Sequence, residues 1–475
     1  MAADGPIKAT LMNRLMNTRL SAAQIFGLLS TVVMVILLAA PLWTEEPGVL
    51  PAAGVVLFAI AFWATGAIPP QITALLLFLL TVVFAIAPPN VAFSGFHASA
   101  TWLVFGGFVI SIAVHKSGLA SRMVRTLMTH LPARYLLMAG GLAIAGVLLS
   151  FIMPSASGRA VMMAPLAVAL ATELGFGEKT RARHGLVLAA GWGTTIPAFG
   201  ILPSNVVNMA FVGASESIFD VSFTYFGYTF LNFPVVGFLG VLIVILLITV
   251  LFGAKPEPKG KPAIQTGWSN AERRLMGIML IALALWMTDS LHGISPAWIA
   301  LAAALLCITP GIGMLQASAI TTEVNYGAWL FVAGVIGMGA IANHSGVGSA
   351  MGELLLANIP LTRDGGIVTF YEIFAISAAV GVVTTFPAAP PIMTSFSDAI
   401  AQATGWPLES VLLVQVPSWM IYPFPHEAPP VAMAMAVGGV PMREAFRLTA
   451  VYFVIGILLV LPLQYLWGHM LGIYF

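Results

Sequence analysis

Charge is what this chain has least of. Asp, Glu, Lys and Arg make up 8% of its 475 residues, against roughly 25% in an average soluble domain, while hydrophobic residues make up 59%. Such a balance excludes an ordinary soluble fold and points to an all-α polytopic membrane protein embedded in a lipid bilayer. The net charge of +1 and the lack of a long basic tract exclude a nucleic-acid partner on electrostatic grounds. Cysteine is nearly absent too. The single Cys307 lies in an apolar segment and excludes both an internal disulfide and a thiolate metal cluster. His426-Glu427 lacks the second histidine of a metalloprotease motif, and Gly346-Val347-Gly348 has no alternating strand and helix pattern around it, so it is not a dinucleotide loop. With neither a nucleophile and base nor a metal set in sight, the chain is read as no enzyme, with no organic cofactor.

What is there is a series of apolar segments of spanning length, at about 25–43, 49–66, 70–88, 100–115, 185–212, 225–253, 274–291, 296–310, 326–342, 411–437 and 446–470. Two further regions, 136–174 and 367–403, are interrupted near their middles by Pro-rich or Ser-rich turns. Read as re-entrant hairpins that enter and leave on one side, they give about eleven transmembrane helices plus two hairpins. The distribution of Lys and Arg supports that reading, because positive charge is retained in cytoplasmic loops. With the amino terminus cytoplasmic and the carboxyl terminus external, 17 of the 19 basic residues fall inside, leaving only Arg159 and Arg363 elsewhere. Full crossings by both interrupted regions would move Lys179, Arg181 and Arg183 to the wrong face. The chain is therefore expected in a plasma membrane, most simply a bacterial inner membrane.

The sequence also repeats. Trp102-Leu103-Val104-Phe105-Gly106-Gly107, leading to His115-Lys116-Ser117-Gly118-Leu119, is echoed roughly 227 residues later by Trp329-Leu330-Phe331-Val332-Ala333-Gly334, leading to Asn343-His344-Ser345-Gly346-Val347. Each echo precedes an interrupted region and then a span broken at proline, in Gly200-Ile201-Leu202-Pro203-Ser204-Asn205 and in His426-Glu427-Ala428-Pro429-Pro430-Val431. One hairpin opens inward and the other outward, so the halves are inverted repeats, an architecture of secondary transporters. This divides the chain into a cytoplasmic segment (1–24), scaffold helices of the first repeat (25–134), its transport region of hairpin and broken span (135–253), a cytoplasmic linker (254–273), scaffold helices of the second repeat (274–345) and the second transport region (346–475).

The chemistry concentrates at the breaks. Ser155-Ala156-Ser157-Gly158-Arg159 places small residues and a full positive charge at membrane depth, in a stretch from 136 to 174 whose only other charge is Glu173. An intramembrane arginine costs roughly 2.5 kcal/mol or more and should face a polar cavity or a partner. Helix amino termini at the four breaks would offer amides to an anion, and unwound carbonyls would suit a small cation. Substrate contacts are thus expected from Ser155, Ala156, Ser157, Gly158 and Arg159 at one tip and from Thr384, Thr385, Phe386, Pro387 and Ala388 at the other. A coupling ion is expected among Ser155, Thr194, Thr195, Pro203, Ser204, Asn205, His426 and Glu427. Sodium is the cofactor-like ion that Ser155, Ser204 and Asn205 could ligate. Glu427 could instead carry a proton, or simply neutralise Arg159.

These motifs resemble those of the divalent anion:sodium symporters of the wider ion-transporter superfamily. Ser155-Ala156-Ser157 with Met162-Met163-Ala164-Pro165 falls where that family has a Ser-Asn-Thr tip and a Met-Met-x-Pro tail, and Leu202-Pro203-Ser204-Asn205 matches its first proline turn. The likeness covers almost all of the chain from residue 25 on. It implies a secondary active transporter of a small organic or inorganic anion, of dicarboxylate, sulfonate or sulfate type, coupled to sodium or protons. It also implies elevator-like alternating access and a homodimer. An inorganic ion or arsenite exporter, or a cation:proton antiporter of the same superfamily, is the alternative. Ala156 replaces the family's tip asparagine, Thr385-Phe386-Pro387-Ala388 retains little of the second triplet, and Val431 stands where the second turn would carry asparagine. Dicarboxylate specificity and a pair of sodium sites therefore do not carry over.

Overall fold

The computed structural model describes residues 21–42, 48–257, 267–384 and 386–475. Most of the expected amino-terminal segment, residues 258–266 of the linker and Thr385 lie outside the described residues. Helices of seven or more residues are numbered in order. The first repeat contains α1 (Ala22–Leu38), α2 (Leu50–Thr65), α3 (Pro70–Val83), α4 (Ser99–Ser117), α5 (Leu119–His130), α6 (Tyr135–Ile152), α7 (Ala156–Glu173), α8 (Arg181–Gly200), α9 (Val206–Phe219) and α10 (Tyr225–Phe252). The second contains α11 (Asn270–Met287), α12 (Pro296–Ile308), α13 (Tyr326–His344), α14 (Val347–Asn358), α15 (Ile367–Val383), α16 (Ala389–Ser395), α17 (Ser397–Thr404), α18 (Leu408–Met420), α19 (Pro429–Gly438) and α20 (Met442–Met470). The described residues contain no strand. Backbone groups satisfied within each helix are what a bilayer requires of its spans. Among the described residues five helices, α4, α6, α10, α13 and α20, are long and apolar enough to cross one unaided by length and composition.

Both interrupted regions fold as hairpins, and hydrogen bonds at their bases fix which way each opens. The Tyr135 hydroxyl, at the start of α6, donates to the carbonyl of Ala182, at the start of α8, at 2.8 Å. Beyond the end of α7, the carbonyl of Leu174 accepts from the amide of Glu257 at 2.9 Å. Both arms of the first hairpin therefore end beside the Phe252 end of α10. In the second hairpin the Asp364 amide donates to the Thr404 carbonyl at 2.9 Å. Ser410, just beyond, donates through its hydroxyl to the Ile473 carbonyl at 2.6 Å. That end of α20 docks on the other end of α10, where Gln464 Nε2 donates to the Leu231 carbonyl at 3.1 Å and Trp467 Nε1 to that of Phe230 at 3.0 Å. The two bases are thus separated by the length of α10, 28 residues or about 42 Å. The halves are inverted.

The repeated motifs meet at the centre of the scaffold. Trp329 Nε1 donates to the Thr101 carbonyl at 3.0 Å, and the rings of Trp102 and Trp329 lie edge to face with centroids 5.9 Å apart. Gly118 and Gly346, at matching places in the two copies, both take φ of 78°, a left-handed turn open to glycine that ends one helix and starts the next. Gly107, on α4, lets the tip of the first hairpin come close: a Cβ there would lie 2.9 Å from Pro154 Cβ.

Candidate functional site

Each broken span unwinds at its proline motif. Between α8 and α9 the chain passes through a single 3-10 turn, Leu202–Ser204, and Asn205 then caps α9, its Oδ1 accepting from the amides of Val207 at 2.6 Å and Asn208 at 3.4 Å. Asn208 is itself fully buried, and its Nδ2 donates to the carbonyls of Ala198, Ile201 and Leu202 at 2.9, 3.0 and 3.3 Å. That one amide holds the shape of the unwound stretch. Between α18 and α19 the equivalent turn is Pro425–Glu427, and α19 begins on Pro429-Pro430, which contribute no amide donors.

The tips of both hairpins reach these breaks. Ser155 caps α7, its Oγ accepting from the Gly158 amide at 3.2 Å. Phe386, at the second tip, lies against Phe199 with centroids 6.0 Å apart and against Tyr422 at 5.5 Å. Between the four breaks is a cavity of roughly 510 Å³, in the range typical of small-molecule sites. Its walls carry Ser155, Ala156, Ser157 and Gly158 from the first tip, Phe386 and Pro387 from the second, Thr195 and Asn205 from the first broken span and Ala428, Pro429 and Pro430 from the second. Three helices, α7, α9 and α19, begin at this wall. No Lys or Arg is among its described lining residues, so at the wall itself positive partial charge comes from helix amino termini.

Arg159 does not join the lining. It is fully buried behind the tip, where Nη1 donates to the carbonyl of Met153 and, at 3.3 Å, to that of Ser204. Nη2 donates to the carbonyls of Thr194 at 3.0 Å and Ser204 at 3.3 Å. Among the described residues it forms no salt bridge, so its charge is held by backbone dipoles alone. Glu427, half-buried, likewise forms no salt bridge among them, and the Arg159–Glu427 pairing weighed from the sequence is not made in this structure. Of the other expected residues, Pro203 and Ser204 are buried in the 3-10 turn beside this cage. Thr194 and Thr195 both turn their hydroxyls to the Gly191 carbonyl, at 2.9 and 2.7 Å. Thr384 turns its hydroxyl back to Val380 at 2.7 Å, and Ala388 is fully buried at the start of α16. His426 is in the second 3-10 turn, its side chain outside the described residues.

The remaining wall comes from the scaffold. Phe108, Ser111, Ile112 and His115 of α4 face Glu323 and Asn325, which precede α13. Exposed His115, Glu323 and Asn325 mark the mouth, where Glu323 is paired with Lys116. None of these residues stood among those expected at the site from the sequence. The signal that could have found them was the repeat itself, since His115-Lys116 belongs to the motif whose two copies meet at the centre.

A family profile described as the sodium:sulfate symporter transmembrane region matches residues 3–474. A sodium-dependent dicarboxylate transporter, SdcS, of Staphylococcus saprophyticus is 27% identical over 58% of this chain and 56% of its own length. An uncharacterized transporter of Haemophilus influenzae is 22% identical over 85% of this chain and 88% of its own. A membrane protein of Cupriavidus necator is 23% identical over 66% of each chain. This chain therefore spans just under two thirds of the Cupriavidus protein and little more than half of the Staphylococcus one. Among solved structures, the Alcanivorax borkumensis YdaH transporter shares the fold with a TM-score of 0.53, at 15% identity, over 80% of this chain and 88% of that one.

Proposed function

Because this chain belongs to the family of the sodium:sulfate symporter transmembrane region, whose members are anion transporters, we propose that it carries a small organic anion, of carboxylate or sulfonate type, by alternating access. The observation that carries this reading is the convergence of the α7, α9 and α19 amino termini on one mostly apolar cavity. The amides of Ala156 and Ser157 lie at the start of an 18-residue helix, where no preceding turn can accept from them. They offer hydrogen bonds to an anionic group together with the positive end of the helix dipole. The α9 terminus adds the Val206 amide, while Pro429 and Pro430 leave the second half poorer in donors.

Phe108, Ile112, Phe199, Phe386, Pro387 and Met433 form the apolar side of the cavity. A bare sulfate would leave that wall without a partner, whereas an organic anion covers it with its carbon skeleton. With the basic loops in the cytoplasm, the mouth at His115, Glu323 and Asn325 opens inward. Elevator-like movement of the hairpins and broken spans past α4 and α13 would expose the same wall to the other side, with the Gly107–Pro154 contact as the sliding surface. Net transport would be driven by a cation, and Glu427, a carboxylate at the second break with no salt bridge among the described residues, is the group placed to carry a proton.

Counterflow in proteoliposomes tests this reading. Vesicles loaded with unlabelled succinate or an alkyl sulfonate should concentrate the labelled anion transiently, and inorganic sulfate should compete weakly. Simple equilibration without an overshoot would mean a channel and would overturn the proposal.

A further inference from the structure

The family description implies sodium, and the residues that the sequence assigned to it can be tested against the structure. They do not fit. Ser155 Oγ and Asn205 Oδ1 are engaged in capping their own helices, at 3.2 Å to the Gly158 amide and 2.6 Å to the Val207 amide. At the first break the carbonyls of Ile201, Leu202 and Ser204, of a kind that elsewhere in such transporters serves cations, already accept from Asn208 and Arg159. Met153 at the hairpin tip, Thr194 near the end of α8 and Ser204 in the 3-10 turn all accept from the Arg159 guanidinium. Three chain segments thus converge their oxygens on one positive charge, fully shielded from solvent and without a carboxylate partner among the described residues. That is the electrostatic arrangement of a cation site, with a side chain as the cation.

We propose that the tethered guanidinium of Arg159 stands in for a sodium ion where the first hairpin tip meets the first broken span, so that this half of the transporter is assembled without sodium. The inference rests on the anion-transport reading for its context, and it changes what drives the cycle. A released sodium leaves with its gradient; a tethered charge stays with the moving hairpin in every state. Its positive field lies directly behind Gly158 and the anion-binding amides, attracting the substrate without touching it. A planar guanidinium with several donors can bridge carbonyls from three segments at once, which a compact ammonium cannot reproduce.

Thermal unfolding of the purified full chain tests this in sodium chloride against potassium chloride and choline chloride at equal ionic strength. The wild-type protein should unfold at the same temperature in all three salts. Arg159→Ala and Arg159→Ser, which vacate the carbonyl cage, should acquire a saturable stabilisation specific to sodium, because a ion that binds only the folded state raises its apparent stability. Saturable, sodium-specific stabilisation of the wild type would overturn the proposal. So would folded Arg159 variants that stay indifferent to sodium. If neither variant can be purified, the wild-type comparison still decides. An anion arm, with succinate and an alkyl sulfonate in potassium buffer, keeps the two ideas apart: loss of anion-specific stabilisation there would count against the transport reading and leave the sodium result standing.

Discussion

Replacing Ala156 with aspartate should abolish anion binding while leaving the protein folded. Ala156 is the first residue of α7, 7% exposed, and forms part of the cavity wall. A carboxylate there would sit on the same amides that the substrate uses, favoured by the helix dipole by about 0.3–1 kcal/mol. The incoming anion would instead meet a like charge within about 4 Å, a repulsion of roughly 4 kcal/mol at an effective dielectric of 20. That corresponds to about a thousandfold in affinity. Ala156→Asn, similar in size and uncharged, should retain binding. Uptake and anion-induced thermal shifts measure both, and an Ala156→Asp protein that binds as tightly as the wild type would remove the hairpin tip from the site.

Asn208 should prove as important to folding as Ala156 is to binding. Its amide donates to three carbonyls of the unwound turn, all of them cut off from water. Polar groups left unpaired at membrane depth are costly, although measured side-chain hydrogen bonds in membranes average only about 0.6 kcal/mol and reach about 2 in model peptides. The two N–H groups of Nδ2, shared among the three carbonyls, at those values give a loss of roughly 1–4 kcal/mol for Asn208→Leu. Asn208→Asp should be at least as damaging, because a carboxylate of the same shape brings only acceptors to three acceptors. Both should lower the unfolding temperature and blunt the response to anion, since α9 would lose its fixed starting point. Wild-type stability in both variants would show that the turn is shaped without this side chain.

Much of this architecture was legible before any coordinates. The inverted halves could be read from the paired Trp102 and Trp329 motifs and from the confinement of basic residues to one set of loops. The first is a repeat of the sequence and the second a constraint of the bilayer, so both are written into the linear sequence. The convergence of the four breaks followed from their equivalent places in the repeats, and the cavity lies there. Arg159 was legible as a buried charge but not as a cage-bound one. Its acceptors, Met153, Thr194 and Ser204, are backbone carbonyls brought together by tertiary folding, and a backbone carbonyl leaves no trace in residue identity. Asn208 and the α4 wall were missed for a related reason. A single polar residue in an apolar helix is unremarked until the helix next to it is known to unwind. The span expected to end near 212 continues as helix through Phe219, where Gly213 packs against Ile336 instead of ending α9.

In the proposed transport cycle the anion rests on the tip of the first hairpin. Ser157 is partly exposed on the cavity wall, and Cys307 is the one native thiol, buried away from it. With Cys307 replaced by alanine, a cysteine at Ser157 can be followed by its rate of reaction with a charged methanethiosulfonate reagent. A transported anion at saturating concentration should slow that reaction at least about tenfold, in line with occupancy of the site, and an anion that shows no counterflow should leave it unchanged. An identical rate with and without the transported anion, or full transport after the thiol has been modified, would place the substrate elsewhere in the molecule.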